Sequence, residues 1–278
     1  MDKCVVGGVE LQNPLLNAAG TMGFGPSYAD YIDLNLLGGL TTRTMTCRPR
    51  GGAPRPRLWE TRAGALNRVG LQNPGYEKFV STFYKGLAGL RVPVIASITG
   101  TEEEIGLMTR ALCALERVKA IEVNLYCEPE EYYDMGREAY LERCRRQVAA
   151  AVAAGDRPVW AKLLPMAGDV VETAAVVRAA GGRCVVCANS YWAMALDSAG
   201  KSRLGSPTGG LTGPAIKPIS LFLVQQVSQR VDIDVVGCGG VVTADDVREY
   251  LAAGAKAVAV GTANFTEPET IRQLIESL

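Results

Sequence analysis

The sequence predicts an α/β chain folded as a single (β/α)8 barrel, the TIM-barrel architecture, with one domain over residues 1–278. Three observations carry that prediction. Short apolar runs ending in small or polar residues recur eight times, stretches with helical spacing lie between them, and a length of 278 residues suits one barrel. The runs are 15–20, 39–46, 93–100, 120–127, 158–165, 183–190, 234–241 and 257–264. Several are almost continuously apolar, as expected of parallel strands covered on both faces. A doubly wound open sheet is the alternative architecture, but eight strands can close on themselves.

The intervening helices have recognisable starts and stripes. Segment 101–117 opens Thr-Glu-Glu-Glu, with Glu104 three residues after a capping Thr101. Segment 137–154 carries Leu141, Cys144, Val148 and Val152 on one stripe, and 169–180 and 214–230 are similarly patterned. Segment 243–253 begins Thr-Ala-Asp-Asp, which places acids at the positive end of a helix, and stops at Gly254. Segment 47–75 breaks the rhythm. It is rich in Arg, Pro and Gly and follows the second strand, where an insertion sits on the catalytic face. Five arginines in it (Arg48, Arg50, Arg55, Arg57 and Arg62) either steer an anion or decorate a solvated hairpin.

Composition removes whole classes of function. With 29 basic and 29 acidic residues the chain lacks the basic excess of a dedicated nucleic-acid binder. The absence of histidine removes histidine triads, imidazole zinc sites and the usual general base. No apolar run reaches the roughly 18 residues of a membrane span, and no signal-peptide pattern precedes Cys4, so a cytoplasmic protein is expected. The eight cysteines are scattered. Cys184 and Cys187 share a strand at a three-residue separation, which points their thiols to opposite faces and argues against a metal or redox pair.

Barrel enzymes assemble their sites at strand C-termini. The last two strands end Gly237-Cys238-Gly239-Gly240 and Val260-Gly261-Thr262, and Gly209-Gly210 precedes another helix. One such pair would suit an ordinary turn; together they suit close backbone approach to a phosphate. Lys162 ends the fifth strand in an apolar run, where an ammonium needs a partner. Either an acidic side chain or a cofactor with delocalised negative charge, such as a reduced flavin, meets that need. Asn67, Asn124 and Asn189 lie at or beside strand ends and offer paired donors and acceptors to a planar amide or imide. Cys127 closes the fourth strand and is either a small core residue or, in a chain without histidine, a thiolate base.

Longer stretches carry a resemblance. Asn13-Pro14-Leu15-Leu16 with Ala18-Ala19-Gly20, the loop from Leu66-Asn67-Arg68 to Asn73-Pro74-Gly75, and Glu122-Val123-Asn124-Leu125-Tyr126-Cys127 are three of them. Thr208-Gly209-Gly210-Leu211-Thr212-Gly213-Pro214 and Val260-Gly261-Thr262-Ala263-Asn264-Phe265 are two more. Nearly end to end, the chain resembles the catalytic subunits of class 1 dihydroorotate dehydrogenases, class 1B above all. The resemblance implies an FMN enzyme oxidising (S)-dihydroorotate to orotate in pyrimidine biosynthesis. It places Ala19 and Gly20 against the flavin, Lys162 at its pyrimidine edge, and Gly240, Gly261 and Thr262 on its phosphate. Arg43, Asn124, Gly213 and Gly239 also fall on the cofactor side. Arg43, Asn67, Asn124, Asn189 and Ser190 surround the substrate, and Cys127 takes its C5 proton while hydride leaves C6. The implied partners are an FAD and iron–sulfur subunit passing electrons to NAD, in a homodimer or heterotetramer.

The chain departs from that pattern on the substrate side. Arg43 stands where the family has lysine, and Ser97 where class 1B has Asn. After Cys127 the family continues Pro-Asn, whereas this chain has a shorter loop reading Glu128-Pro129-Glu130-Glu131. The sequence ends at Leu278, before the family's C-terminal helical extension. Two further readings therefore stay open: an FMN ene-reductase or dehydrogenase with another small cyclic or carboxylated substrate, and an FMN-binding regulatory subunit without turnover.

Overall fold

The structure, a computed structural model, describes residues 3–278. Two strands, β1 (Cys4–Val6) and β2 (Val9–Leu11), open the chain as an antiparallel hairpin. Parallel strands β3 (Leu15–Asn17) and β4 (Leu40–Thr41) follow, then an inserted pair, β5 (Leu58–Thr61) and β6 (Gly64–Asn67). The barrel resumes with β7 (Val94–Ile98), β8 (Val118–Asn124), β9 (Val159–Lys162) and β10 (Cys184–Cys187). A second excursion, β11 (Tyr191–Ala193) and β12 (Gly209–Thr212), precedes β13 (Asp234–Cys238) and β14 (Ala257–Val260). The eight-stranded sheet runs β3-β14-β13-β10-β9-β8-β7-β4, all neighbours parallel, and a bridge between Leu16 and Gly39 joins its first and last strands. The chain is thus a (β/α)8 barrel, as all eight apolar runs predict.

Inside the barrel, Leu16, Ile95, Ala120, Trp160, Cys184 and Val236 pack as one buried cluster. The opening hairpin plugs its N-terminal end: Val6, Val9 and Leu11 join the same cluster, and Trp160 Nε1 donates to Gly7 O at 3.2 Å. Only glycine suits this turn. Gly7 has φ 52° and Gly8 φ 82°, and a Cβ on Gly7 would lie 2.5 Å from Cys184 Cβ. Cys184 lies in the inner cluster and Cys187 in the outer one, so the two thiols do face opposite sides of the strand.

The outer core lies between strands and helices. Short α1 (Tyr76–Lys78) is followed by α2 (Glu102–Cys113), where Thr101 and Glu104 form the reciprocal cap. Then come α3 (Pro129–Ala154) and α4 (Val170–Ala179), the latter capped by Asp169. The last four are α5 (Lys217–Arg230), α6 (Ala244–Ala252) capped by Thr243, α7 (Ala263–Thr266) and α8 (Thr270–Ser277).

The alternation is less regular than the sequence suggests. The β3–β4 crossover has two 3₁₀ turns (Pro26–Tyr28 and Leu34–Leu36) instead of an α-helix. Gly20, Gly23 and Gly25 all have positive φ there, a conformation no right-handed helix contains. Where the sequence suggests a loop at 128–131, the structure has the first turn of α3. Pro129 at the first helical position and reciprocal Glu128–Glu131 capping start the helix eight residues before the expected 137, and Gly136 (φ 76°) breaks it. The insertion folds as a hairpin and joins β11 and β12 in a four-stranded antiparallel sheet, β11-β12-β6-β5.

Candidate active site

At the C-terminal end of the barrel is a cavity of about 610 Å³, walled on one side by the four-stranded sheet. A more open cleft of about 760 Å³ lies at the opposite end, between the Gly7 turn and Asp234, and shares no residue with it. The barrel-end cavity is where strand termini deliver side chains.

One wall is backbone. β13 and β14 end at Gly239-Gly240 and Gly261-Thr262, and all four residues line the cavity together with Gly213. Gly240 has φ 70°, and a Cβ there would lie 2.7 Å from Lys217 Cβ and 2.9 Å from Gly213 O. Among the described residues, the amides of Gly240, Gly261 and Thr262 find no backbone acceptor. Behind this wall Lys217 bonds Asp246 and Glu249, and Asp246 Oδ2 accepts from the amides of Val242 and Thr243 at 2.8 and 2.7 Å. Half-buried free amides on glycine-rich strand ends form a cradle for an anion.

The floor carries the buried cation. Lys162 ends β9, is 6 % exposed and borders the cavity, yet makes no hydrogen bond or ion pair among the described residues. Glu122, also inside the barrel, has its pKa raised by burial and partly drawn back by Lys162 and by a hydrogen bond with Ser97. Both partners proposed for Lys162 therefore have a place: an acid acts on it from within the barrel, while its ammonium faces open space. Ala19 and Gly20, at the exit of β3, line the same cavity, and no atom would lie within 4 Å of a Cβ on Gly20.

The remaining wall is made of amides and cations. Asn189 Nδ2 donates to Asn124 Oδ1 at 3.2 Å, and Asn124 Nδ2 donates to Thr44 Oγ1 at 3.2 Å. Thr44 in turn pairs with Ser97 at 2.9 Å, so Ser97 anchors this chain from below and does not reach the cavity. Asn67 Nδ2 donates to Gly210 O at 3.2 Å, and the Ser190 amide donates to Asn189 Oδ1 at 2.8 Å. Arg43 borders the cavity and donates to Gln72 O at 3.1 Å. Of the arginines at 48, 50, 55, 57 and 62, Arg57 alone lines the cavity, and Arg68 of the same segment lines it too; Arg48, Arg50, Arg55 and Arg62 are exposed.

Cys127 is the exception among the expected site residues. It is fully buried in the outer core and does not line the cavity. Its Sγ lies 3.4 Å from Glu128 O and 3.4 Å from Glu131 Oε2. Burial, with Glu131 adding to it and Arg143 opposing, pushes its pKa up to about 12. The residue that faces the cavity is Tyr126, beside Arg68. Arg68 NH1 donates to Tyr126 Oη at 3.1 Å, Tyr126 Oη donates to Glu128 Oε2 at 2.6 Å, and Arg68 pairs with Glu128. A signal for this was present. Counting from inward-facing Asn124, strand alternation puts Tyr126 inward and Cys127 outward.

An anion cradle of backbone amides, a partnerless buried ammonium and a bed of amides fit a phosphorylated planar cofactor set beside a small polar substrate. This is the site of an α/β-barrel flavin oxidoreductase. The family described as "Dihydroorotate dehydrogenase" matches residues 1–278, and the chain belongs to it. Its relatives include the protein named "Dihydroorotate dehydrogenase B (NAD(+)), catalytic subunit" of Halalkalibacterium halodurans, 38 % identical over 98 % of this chain and 90 % of that one. Proteins of the same name from Listeria welshimeri (39 %, over 98 % and 90 %) and Bacillus mycoides (38 %, over 98 % and 88 %) are similar. These place the chain with the class 1B catalytic subunits. The crystal structure of DHODH in complex with ferulenol from Eimeria tenella shares the fold, with TM-score 0.79 at 18 % identity over 99 % of this chain and 82 % of that one. As a member of this family the chain is an FMN-dependent oxidoreductase acting on CH–CH bonds. Among the described residues no helix is long and apolar enough to cross a membrane.

Proposed function

We propose that the chain oxidises (S)-dihydroorotate to orotate in pyrimidine biosynthesis. The observation that carries this reading is a single cavity uniting the glycine cradle, the Lys162 ammonium and the amides of Asn67, Asn124 and Asn189. FMN, when bound, supplies the hydride acceptor for the substrate's C6 hydrogen. Gly240, Gly261 and Thr262, with Gly213 and Gly239, hold its phosphate through backbone donors. Ala19 and Gly20 leave space for its ring, and Lys162 provides fixed positive charge where negative charge develops. The guanidinium of Arg43 grips the substrate carboxylate, while the asparagine amides and Ser190 match the donor and acceptor edges of its ring.

The proton acceptor belongs to the segment leaving β8. For Cys127 to serve, its thiol must turn from Glu131 into the cavity and ionise against a pKa pushed up to about 12. The relatives' name, "catalytic subunit", supports a partner, which we take to be an FAD and iron–sulfur subunit in a cytoplasmic homodimer or heterotetramer. Anaerobic mixing of the purified holoprotein with dihydroorotate tests the central reading: the visible flavin band should bleach, and a band that stays oxidised rejects dihydroorotate as substrate.

A further inference from the structure

We propose that Glu122, in the barrel layer directly beneath the cavity, is a positioning residue for the flavin chemistry: its carboxylate tempers the Lys162 ammonium and thereby lowers the potential of the bound FMN. This inference rests on the family's cofactor and not on the identity of the substrate, so its test is independent of the dihydroorotate experiment above. Strand register places the group. Glu122 precedes Asn124 by two residues on β8 and so points to the same inner face. Across β9, Asn124 is opposite Lys162 and Glu122 is opposite Trp160, which sets the carboxyl one layer below the ammonium. Glu122 is 2 % exposed and, unlike Asn124 and Lys162, does not line the cavity.

A carboxyl buried there needs compensation. Ser97, its register partner on β7, supplies a hydrogen bond, while Glu122 Oε1 has no partner among the described residues. The other compensation is the field of Lys162, which acts on Glu122 without a contact ion pair between them. No other charge among the described residues acts on it. Cys184 and Cys238, the titratable groups facing it from β10 and β13, are thiols whose pKa values burial pushes up. The consequence falls on the cofactor. FMN that has taken up hydride carries negative charge on its ring, which a fixed cation favours and a carboxylate behind that cation opposes. Burial raises the Glu122 pKa, and Lys162 draws it part of the way back. The carboxylate is therefore present above that raised pKa, and its effect on the flavin is lost as pH falls through it. With Lys162 removed, burial dominates and the acid takes up a proton.

The experiment follows the FMN midpoint potential of the holoprotein against pH in wild type, Glu122→Gln, Lys162→Met and the double variant, with flavin content measured on each. At the alkaline end Glu122→Gln should raise the potential by about 30 mV or more, a tenfold or larger rise in the reduced-to-oxidised ratio of a two-electron couple. The gap to wild type should close as pH falls, and at a higher pH than an exposed glutamate would require. In the Lys162→Met background the same substitution should leave the potential unchanged, because it replaces a neutral acid by a neutral amide. A carboxyl that merely fills the barrel gives wild type and Glu122→Gln the same potential at every pH, and that result overturns the proposal. A shift of equal size with and without Lys162 overturns it as well, since the carboxylate then acts on the flavin directly. Should Glu122→Gln fail to hold FMN, infrared difference spectra of the wild-type holoprotein decide. Linkage is reciprocal, so reducing the flavin near the Glu122 pKa should add a buried carboxylic-acid C=O band. Spectra without that band reject the coupling.

Discussion

The exits of β13 and β14 and the exit of β8 face the same cavity but are built differently. At the first, the working groups are backbone amides, the residues are glycine and threonine, and the supporting Lys217–Asp246 pair lies behind the wall. At the second, side chains line the cavity: Asn124, Tyr126 and Arg68, the last paired with Glu128 behind them. A backbone cradle fixes its donors with the strand itself and leaves no room for a Cβ at Gly239 or Gly240. A side-chain bed can be rebuilt residue by residue. The anion end and the reacting end of one site therefore answer to mutation in different currencies, affinity for the first and rate for the second.

Lys162 borders the cavity that both ends share, and its loss should have the largest effect. Removing one preorganised electrostatic group typically costs 10²- to 10³-fold in rate. Lys162→Met should slow flavin reduction by about that factor and also make the flavin harder to reduce, read as a lower midpoint potential. An unchanged potential would detach Lys162 from the cofactor.

Asp246 tests the support behind the cradle. Burial would raise its pKa, but the Lys217 hydrogen bond and the Thr243 and Val242 amides outweigh this and hold it below its ordinary value. A carboxylate with a depressed folded pKa contributes stability above its unfolded pKa and loses it as pH falls through the folded one. Asp246→Asn should therefore cost about 1–3 kcal/mol at pH 7, with the gap to wild type closing below about pH 4 in denaturant titrations. An equal gap at pH 3 would mean that the carboxylate charge contributes nothing.

Gly240→Ala should weaken FMN binding about tenfold, since a left-handed non-glycine residue costs roughly 1–2 kcal/mol. Orotate affinity of the flavin-loaded fraction should not move, and a shift there would erase the contrast between the two ends. Arg43→Lys should act in the opposite sense. It keeps the charge but loses the two-pronged grip, for an expected rise in dihydroorotate KM of a few-fold with FMN affinity unchanged.

Legibility followed the same divide. The glycine-bearing strand ends and Lys162 could be read directly, because glycine and a lysine in an apolar strand are anomalies that need an explanation. The Asn67–Asn124–Asn189 set was legible as residue types at strand ends, but not as the Asn189–Asn124–Thr44 chain that orients it. Arg68 carried no local signal, since an arginine in a polar loop is ordinary until the fold brings Tyr126 and Glu128 beside it. The outward direction of Cys127 was legible only in the two-residue alternation counted from Asn124, which places its thiol in the outer core. The opening hairpin had its own signal in Val6-Gly7-Gly8-Val9, a two-glycine turn between apolar residues.

By itself the sequence determined the barrel, its eight strands, the caps at Thr101 and Thr243, and the glycine-bearing strand ends. These depend on periodicity, backbone conformation and contacts a few residues apart, all written locally in the chain. Tertiary structure alone decided how the inserted hairpin joins β11 and β12, which of its arginines reaches the cavity, and that Arg68 meets Tyr126 and Glu128. Those outcomes depend on the direction of single side chains across 58 and more residues of sequence, and barrel closure fixes that direction.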